Sequence, residues 1–409
     1  MMPIHHTFAP LADAAQCLRA LALLVQPWRY ARGPCASELE RELHARFGGE
    51  AFTFASGREA LLALLHALKL RSGEEVIVQG YTCVVVPNAI HAAGGVPIYV
   101  DINRETVNLD LSEVEQAITS RTRAVICQHT FGIPADTRAL RTVCDQHNLI
   151  LIEDCAHILP DHHGPHAIGE HGDFLILSFG RDKAISGVTG GAVLSRRPST
   201  SQGLRLLQRE ARDLRCLTVL QLLLYPLLYA IAKPLYGIRV GKALLAAARA
   251  LRFLPPILTK EEKEGRMPPH LHRMPNACAA LALAQLHTLH RFNDHRRQLT
   301  RFYLEVARTH RWPYLRGIEA DLPLQKFPLF VRGAERIRQH LREKNIHLDD
   351  GWTGCVICPP SVDATELGYT AGRDPHAEEL CESILSLPTH PTMTLRQARR
   401  LSTALHPLL

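Results

Sequence analysis

The sequence predicts an α/β chain: a large domain with a mostly parallel sheet flanked by helices, followed by a smaller α+β C-terminal domain. Three observations predict it. Between residues 52 and 195, short β-branched apolar runs alternate with amphipathic stretches, and runs that are apolar on both faces mark strands buried between two helix layers. At 409 residues the chain exceeds what one core organises, so two lobes are expected. Its 46% hydrophobic and 21% charged residues place it among globular chains and outside disordered or fibrous compositions.

The expected strands are, in order, EEVIVQGY, VPIYVDI, RAVICQHTFG, NLILIEDCA, DFLILSFG and GGAVLS. Helical candidates lie between them: residues 57–69, with Leu61, Leu62, Leu65 and Leu68 on one side, and residues 112–118. The block 216–257 is dense in Leu, Ala and Tyr, is broken by Pro226, Pro234, Pro255 and Pro256, and reads as an insertion. A long helical pattern covers 276–307, and KFPLFV, KNIHLD and ILSLP supply short strands of the second lobe. The expected division is an N-terminal arm at 1–45, a large domain at 46–215, the helical insertion at 216–257 and a small domain at 258–409.

Lys plus Arg number 47 against 40 Asp plus Glu, a net charge of +7 without long basic runs, so a nucleic-acid partner is not expected. The eleven cysteines are odd in number and scattered, which fits a reducing cytoplasm. The opening MMPIHHTFAPLADAAQC lacks a basic segment followed by an apolar run, so no export signal is expected.

Three segments carry candidate chemistry. Lys183 follows the strand that ends at Ser178 and precedes a Gly-rich run. A buried strand-end amine loses its proton more easily, as a covalent nucleophile requires; a surface lysine in a turn has the same local sequence. Asp154 ends the strand NLILIED, at the edge where open α/β sheets bind ligands. A carboxylate there pairs with a protonated pyridine nitrogen and keeps pyridoxal phosphate an electron sink, with His157 three residues on near the phenolic oxygen. Singly, these also read as a helix cap and a buried histidine. Ser56-Gly57-Arg58-Glu59 is a small-residue turn opening a helix, whose free N–H groups favour an anion and which equally suits an ordinary capped helix.

Together these segments resemble the DegT/StrS-type family of pyridoxal-phosphate-dependent sugar aminotransferases, a fold-type-I group. The resemblance runs through RGPCASELERELHARFG, SGREAL, the QHTFGIPADTRAL segment, IEDCAH, SFGRDK, GGAVLS, RMPNACAALALAQL and ILSLPTHP, nearly the whole chain except 216–257. It implies that Lys183 is the Schiff-base lysine and general base, Asp154 the pyridinium partner, His157 the residue near the 3′-oxygen, and Ser178 a phosphate ligand beside the backbone of Gly57 and Arg58. Several positions depart from the family pattern. Arg58 replaces a usual Thr, and Cys83, with Tyr81 two residues earlier, stands where an aromatic ring commonly stacks on the cofactor. Ala184, Thr189 and Leu271 replace frequent Asn, Glu and Asn. The resemblance implies a cytoplasmic homodimer moving an amino group, usually from glutamate, to a nucleotide-linked keto sugar for a surface glycan or glycolipid. A lipid-borne ketone as acceptor, elimination or dehydration on the same scaffold, and a non-catalytic binding relative stay open. Lys183 argues against the dehydratase branch, in which a histidine replaces the lysine.

Metal is not expected. Cys355 and Cys358 form a lone CxxC without a second pair, and His162, His163, His166 and His171 are irregularly spaced in a Gly/Pro loop. In the insertion, 216–232 gives 17 mostly apolar residues, at the low edge of a spanning helix. A crossing there would place Lys183 and the small lobe on opposite sides of a membrane, so spanning is not expected. The helix that follows groups Lys242, Arg249 and Arg252, with Arg239 nearby, opposite Val240, Leu244, Ala247, Leu251 and Leu254; Leu245 and Phe253 interrupt the basic side. Peripheral contact with an anionic membrane surface, a dimer interface and a core hairpin all suit this pattern.

Overall fold

Seven strands form the central sheet of the computed structural model, which describes residues 2–6, 8–161, 168–268 and 270–409. They are β1 (Glu50–Phe54), β2 (Glu75–Gln79), β3 (Val96–Val100), β4 (Thr122–Gln128), β5 (Ile150–Asp154), β6 (Phe174–Ser178) and β7 (Gly191–Ser195), in the order β1-β7-β6-β5-β4-β2-β3. From β3 to β6 every pairing is parallel; β7 pairs antiparallel with β6 and β1 with β7. The all-apolar runs follow from burial on both faces: Val76, Val78, Ile126 and Ile152 enter one core, and Ile77, Val125 and Leu151 another. Because β5 and β6 are parallel neighbours, Asp154 and Ser178 end at the same edge of the sheet.

Three helices support that edge. Asp13 caps α1 (Ala14–Leu24) by accepting the Gln16 N–H at 2.7 Å, and the Gln16 side chain donates to the Ser186 carbonyl at 2.8 Å, just beyond Lys183. Helix α2 (Cys35–Phe47) buries Leu39 and Leu43. Ser56 caps α3 (Gly57–Ala67), its Oγ accepting the Glu59 N–H at 3.2 Å.

The insertion is a helical pair laid on the body. Helix α4 (Cys216–Ala232) packs on α1 and buries Val219, Leu222, Leu223, Tyr225 and Tyr229 in the large-lobe core. Helix α5 (Val240–Ala250) turns Gly241, Leu245 and Ala248 inward. A Cβ at Gly241 would lie 2.1 Å from the Ala232 carbonyl oxygen, so the bare glycine lets α5 start against the end of α4. Leu245, which interrupts the basic side in the sequence pattern, is therefore the anchor. Of the residues expected opposite the cations, Leu254 is buried while Val240 and Leu251 are exposed; Phe253 and the cations Arg239, Lys242, Arg249 and Arg252 are exposed as well. Among the described residues no helix is long and apolar enough to cross a membrane.

The long pattern at 276–307 divides at His287–Thr288 into α6 (Asn276–Leu286) and α7 (Leu289–His310). Helix α6 is apolar all round and sits in the large-lobe core with α1 and α2, although it lies beyond residue 258. The small lobe is built on β8 (Lys326–Phe330) antiparallel to β9 (Ile384–Pro388). KNIHLD yields only a two-residue strand, Ile346–His347, which pairs with Ile4–His5 and ties the start of the chain to the small lobe. His162, His163 and His166 lie outside the described residues; His171 bonds Thr137 Oγ1 at 3.0 Å.

Candidate active site

Asp154, the last residue of β5, is buried, and its Oδ1 accepts the Ala156 N–H at 2.9 Å. Burial pushes its carboxyl above the ordinary aspartate range, against the pull of that N–H, Lys183 and His129. Its neighbour Glu153 accepts N–H groups of Gly169 (2.7 Å), His171 (2.9 Å) and Gly172, and the His129 ring at 3.2 Å. Burial alone would raise this carboxyl, but His129 and those N–H groups hold it below the ordinary range. Glu153 thus fixes the 168–172 segment behind the site. His129, Glu153 and Cys155 are the one close group with metal-ligand chemistry among the described residues, and there Glu153 already serves four donors.

His157 is buried and its Nδ1 accepts the Phe131 N–H at 3.1 Å, which leaves the ring proton on Nε2. Burial, with Lys183 and Lys326 nearby, keeps the pKa well below the usual histidine value, so the ring is neutral. It stacks on Phe131 at 5.8 Å and meets the edge of Trp352 at 4.8 Å. Tyr81 is fully buried in the same cluster, its hydroxyl donating to the Trp352 carbonyl at 2.5 Å. It shapes the wall and has no free hydroxyl to offer. Cys83 is half-buried; burial pushes its thiol up, while Lys183 and Arg58 pull it down.

Lys183 opens on a cleft lined by His6, Arg296, Gln325, Lys326, Asp350 and His390, with Asp182 beside it. Two residues invisible to sequence reasoning hold its backbone: Gln325 donates to the Asp182 carbonyl and Arg296 to the Ala184 carbonyl, each at 2.6 Å. Lys326 pairs with Asp350 at 3.2 Å, both nearly inaccessible. Burial would raise the Asp350 carboxyl, yet Lys326, His6 and the hydrogen bond from the Trp352 N–H bring it down to about 2.

At the other end of the site, Ser178 lies against the first turn of α3. A Cβ added to Gly57 would be 3.1 Å from Ser178 Oγ, and one added to Gly191 would be 2.3 Å from the Gly57 nitrogen. Only bare backbone fits there. The turn presents the Gly57 and Arg58 N–H groups, which a helix cannot pair internally, beside a hydroxyl. The Arg58 guanidinium is engaged by Glu262 and donates to the Ile257 carbonyl at 2.6 Å; Arg181 donates to the Pro255 carbonyl at 2.8 Å. These two arginines moor the exit of the insertion beside the pocket. Thr189 Oγ1 donates to the Ala55 carbonyl at 2.6 Å, closing the loop after Lys183 onto the same turn.

A buried strand-end carboxylate, a lysine beyond the next strand and a glycine-lined helix start lie at one edge of a sheet with the architecture of the fold-type-I pyridoxal-phosphate transferases. The chain belongs to the DegT/DnrJ/EryC1/StrS aminotransferase family, whose profile matches residues 12–216 and 245–406; it is a pyridoxal-phosphate-dependent aminotransferase. The unmatched 217–244 falls inside the insertion. EryC1 of Saccharopolyspora erythraea, an erythromycin biosynthesis sensory transduction protein, is 27% identical over 380 residues, 90% of this chain and 88% of that one. GDP-perosamine synthase of Escherichia coli O157:H7 is 37% identical over 145 residues, 36% of this chain and 40% of the relative. The structure of NtdA from Bacillus subtilis, with bound cofactor PMP, matches with a TM-score of 0.74 at 21% identity, covering 98% of this chain and 83% of that one.

Proposed function

We propose that the chain moves an amino group from an amino-acid donor, glutamate, to a nucleotide-linked keto sugar, in the synthesis of a surface glycan or glycolipid. The observation that carries this reading is Asp154 and Lys183 at one sheet edge beside the cradle of Gly57, Arg58 and Ser178. Pyridoxal phosphate bound there supplies an electron sink that lets the Cα–H bond of the amine break. Asp154 pairs with the pyridine nitrogen and keeps its proton. His157, neutral and fixed by Phe131, offers Nε2–H to the ring oxygen. Ser178 and the N–H groups of Gly57 and Arg58 hold the phosphate. Lys183 would hold the cofactor covalently, and its Nζ would move the proton at the donor Cα. Cys83, near Lys183 and Arg58, would border the cofactor, and Tyr81 would act through Trp352. The protein works as a homodimer in the cytoplasm, with the outward apolar residues of α5 and their flanking cations resting on the inner membrane surface. That apolar face favours a second reading of the acceptor, a keto sugar carried on a lipid.

The test is the donor half of the reaction. Glutamate added to the cofactor-loaded protein should release 2-oxoglutarate, and a nucleotide-linked keto sugar should then take up the amine. If no common amino acid yields its oxo acid while the sugar loses water, the elimination reading replaces this one. Borohydride reduction and peptide mapping should find the cofactor on Lys183; another lysine would overturn the site.

A further inference from the structure

Beside the cofactor pocket, one pair of nucleophilic side chains is already close to bonding distance. Cys355 Sγ lies 3.6 Å from Cys358 Sγ; Cys358 is buried and Cys355 half-buried. A disulfide has its sulfurs about 2.05 Å apart, so a shift of about 1.5 Å would join them. Burial, with Cys355 and Cys83 nearby, raises the Cys358 thiol well above its ordinary value, which leaves the more accessible Cys355 as the attacking sulfur. Cys381 turns its Sγ to the Glu378 carbonyl at 3.2 Å, and Cys83 pairs with Cys358 across the short parallel strands.

The pair is tied to the pocket on both sides. Ile357–Cys358 runs parallel to Thr82–Cys83, with the Thr82 N–H donating to the Val356 carbonyl at 3.0 Å and the Val84 N–H to the Cys358 carbonyl at 2.9 Å. Three residues before Cys355, Trp352 carries the carbonyl that takes the Tyr81 hydroxyl and the ring that walls His157. Drawing the two sulfurs together therefore pulls on the Cys83 strand and on the His157 wall at once.

We propose that Cys355 and Cys358 are a reversible thiol–disulfide pair, oxidised by low-molecular-weight disulfides such as oxidised glutathione, and that closing the disulfide slows turnover. Cys355 thiolate attacks one sulfur of glutathione disulfide, breaking that S–S bond and expelling a glutathione thiolate. Cys358 then attacks the Cys355 sulfur of the mixed disulfide and expels the second. The two protein thiol protons pass to the two glutathione thiolates, and the two electrons lost by the cysteine sulfurs reduce the glutathione disulfide.

The effect on turnover rests on the aminotransferase reading; the disulfide does not. The test equilibrates the full chain in buffers of stepped oxidised-to-reduced glutathione ratio, alkylates free thiols and maps peptides. The expected result is a peptide containing Cys355 and Cys358 that loses the mass of two hydrogens and resists alkylation as the ratio rises. Turnover should fall along the same curve and return with dithiothreitol. Cys355→Ser should lose the redox dependence, and Cys83→Ser should leave the 355–358 disulfide forming at the same ratio. A pair that stays alkylated at every ratio, stops at glutathione on Cys355, or links to another cysteine overturns the proposal. A disulfide that forms without changing turnover overturns its regulatory half. The mapping needs no variant, so a misfolded Ser substitution leaves it decisive. A chain that transfers no amine in either redox state counts against the function and not against the disulfide.

Discussion

Asp154 is held in a site that disfavours its charge, so only a cationic partner makes its ionised form worthwhile. On the proposed role, Asp154→Asn removes the partner of the pyridine nitrogen while leaving the turn at Gly57 and Ser178 intact. Turnover should fall by about 10²-fold or more, whereas dialysis should still leave cofactor on the protein; wild-type turnover in the cofactor-loaded variant would refute the role. The Lys326–Asp350 pair gives a different outcome. Asp350→Asn strands a buried ammonium, so urea unfolding should show a loss of about 3–5 kcal/mol, much of it recovered by adding Lys326→Met. Lys183 and Asp154 were legible in the sequence because each ends or follows an apolar strand and local pattern locates strand ends. Arg296, Gln325, Lys326 and Asp350 were not, because they reach the cleft from segments whose own periodicity describes only helix faces and short strands.

The insertion shows what pattern alone misjudges at the level of an element. Its helices were legible from composition, but which side of α5 meets the body depends on Gly241 meeting the Ala232 carbonyl, a contact that no hydrophobic periodicity records. The antiparallel placing of β1 and β7 was hidden for a related reason: buried strands read alike in either direction. At the end of α4, Lys233 is pushed down to about 8 by burial; its Nζ donates to Thr392 Oγ1 at 3.3 Å, and its charge bears on His5 and His390, whose own pKa values lie well below the usual. Since the folded-state value is lowered, the charge costs stability below about pH 8. Between there and the ordinary lysine range the folded chain has lost a proton that the unfolded chain keeps, and stability should rise by at most about 1.4 kcal/mol per pH unit. Lys233→Met should remove that slope and raise Tm at pH 7. Parallel Tm-against-pH curves for the two proteins would show that Lys233 is not desolvated.

For the molecule as a whole, α5 leaves Val240 and Leu251 exposed on one side of its buried stripe and Lys242 and Arg249 exposed on the other, with Arg239, Arg252 and Phe253 exposed at its ends. Each cation near anionic lipid contributes about 1 kcal/mol, so the wild type should float with anionic vesicles at moderate salt, and a variant with Glu at the four basic positions should not. A wild type that stays at the bottom of the gradient assigns this face to protein contact.

The cleft itself draws on both ends of the chain. His6 and His390 line it together, the His6 ring bonds the Ser386 carbonyl at 2.7 Å, and Arg400 donates to the Met2 carbonyl at 3.0 Å. A ribosome adding about 5–20 residues per second therefore produces Lys183 and Asp154 well before the walls that enclose them. The nascent chain can fold its large sheet early, but the pocket closes only once the segment reaching His390 has left the exit tunnel. Cofactor capture then follows synthesis of the 325–390 segment, and a chain cut short before that segment would keep Lys183 without the cleft that encloses it.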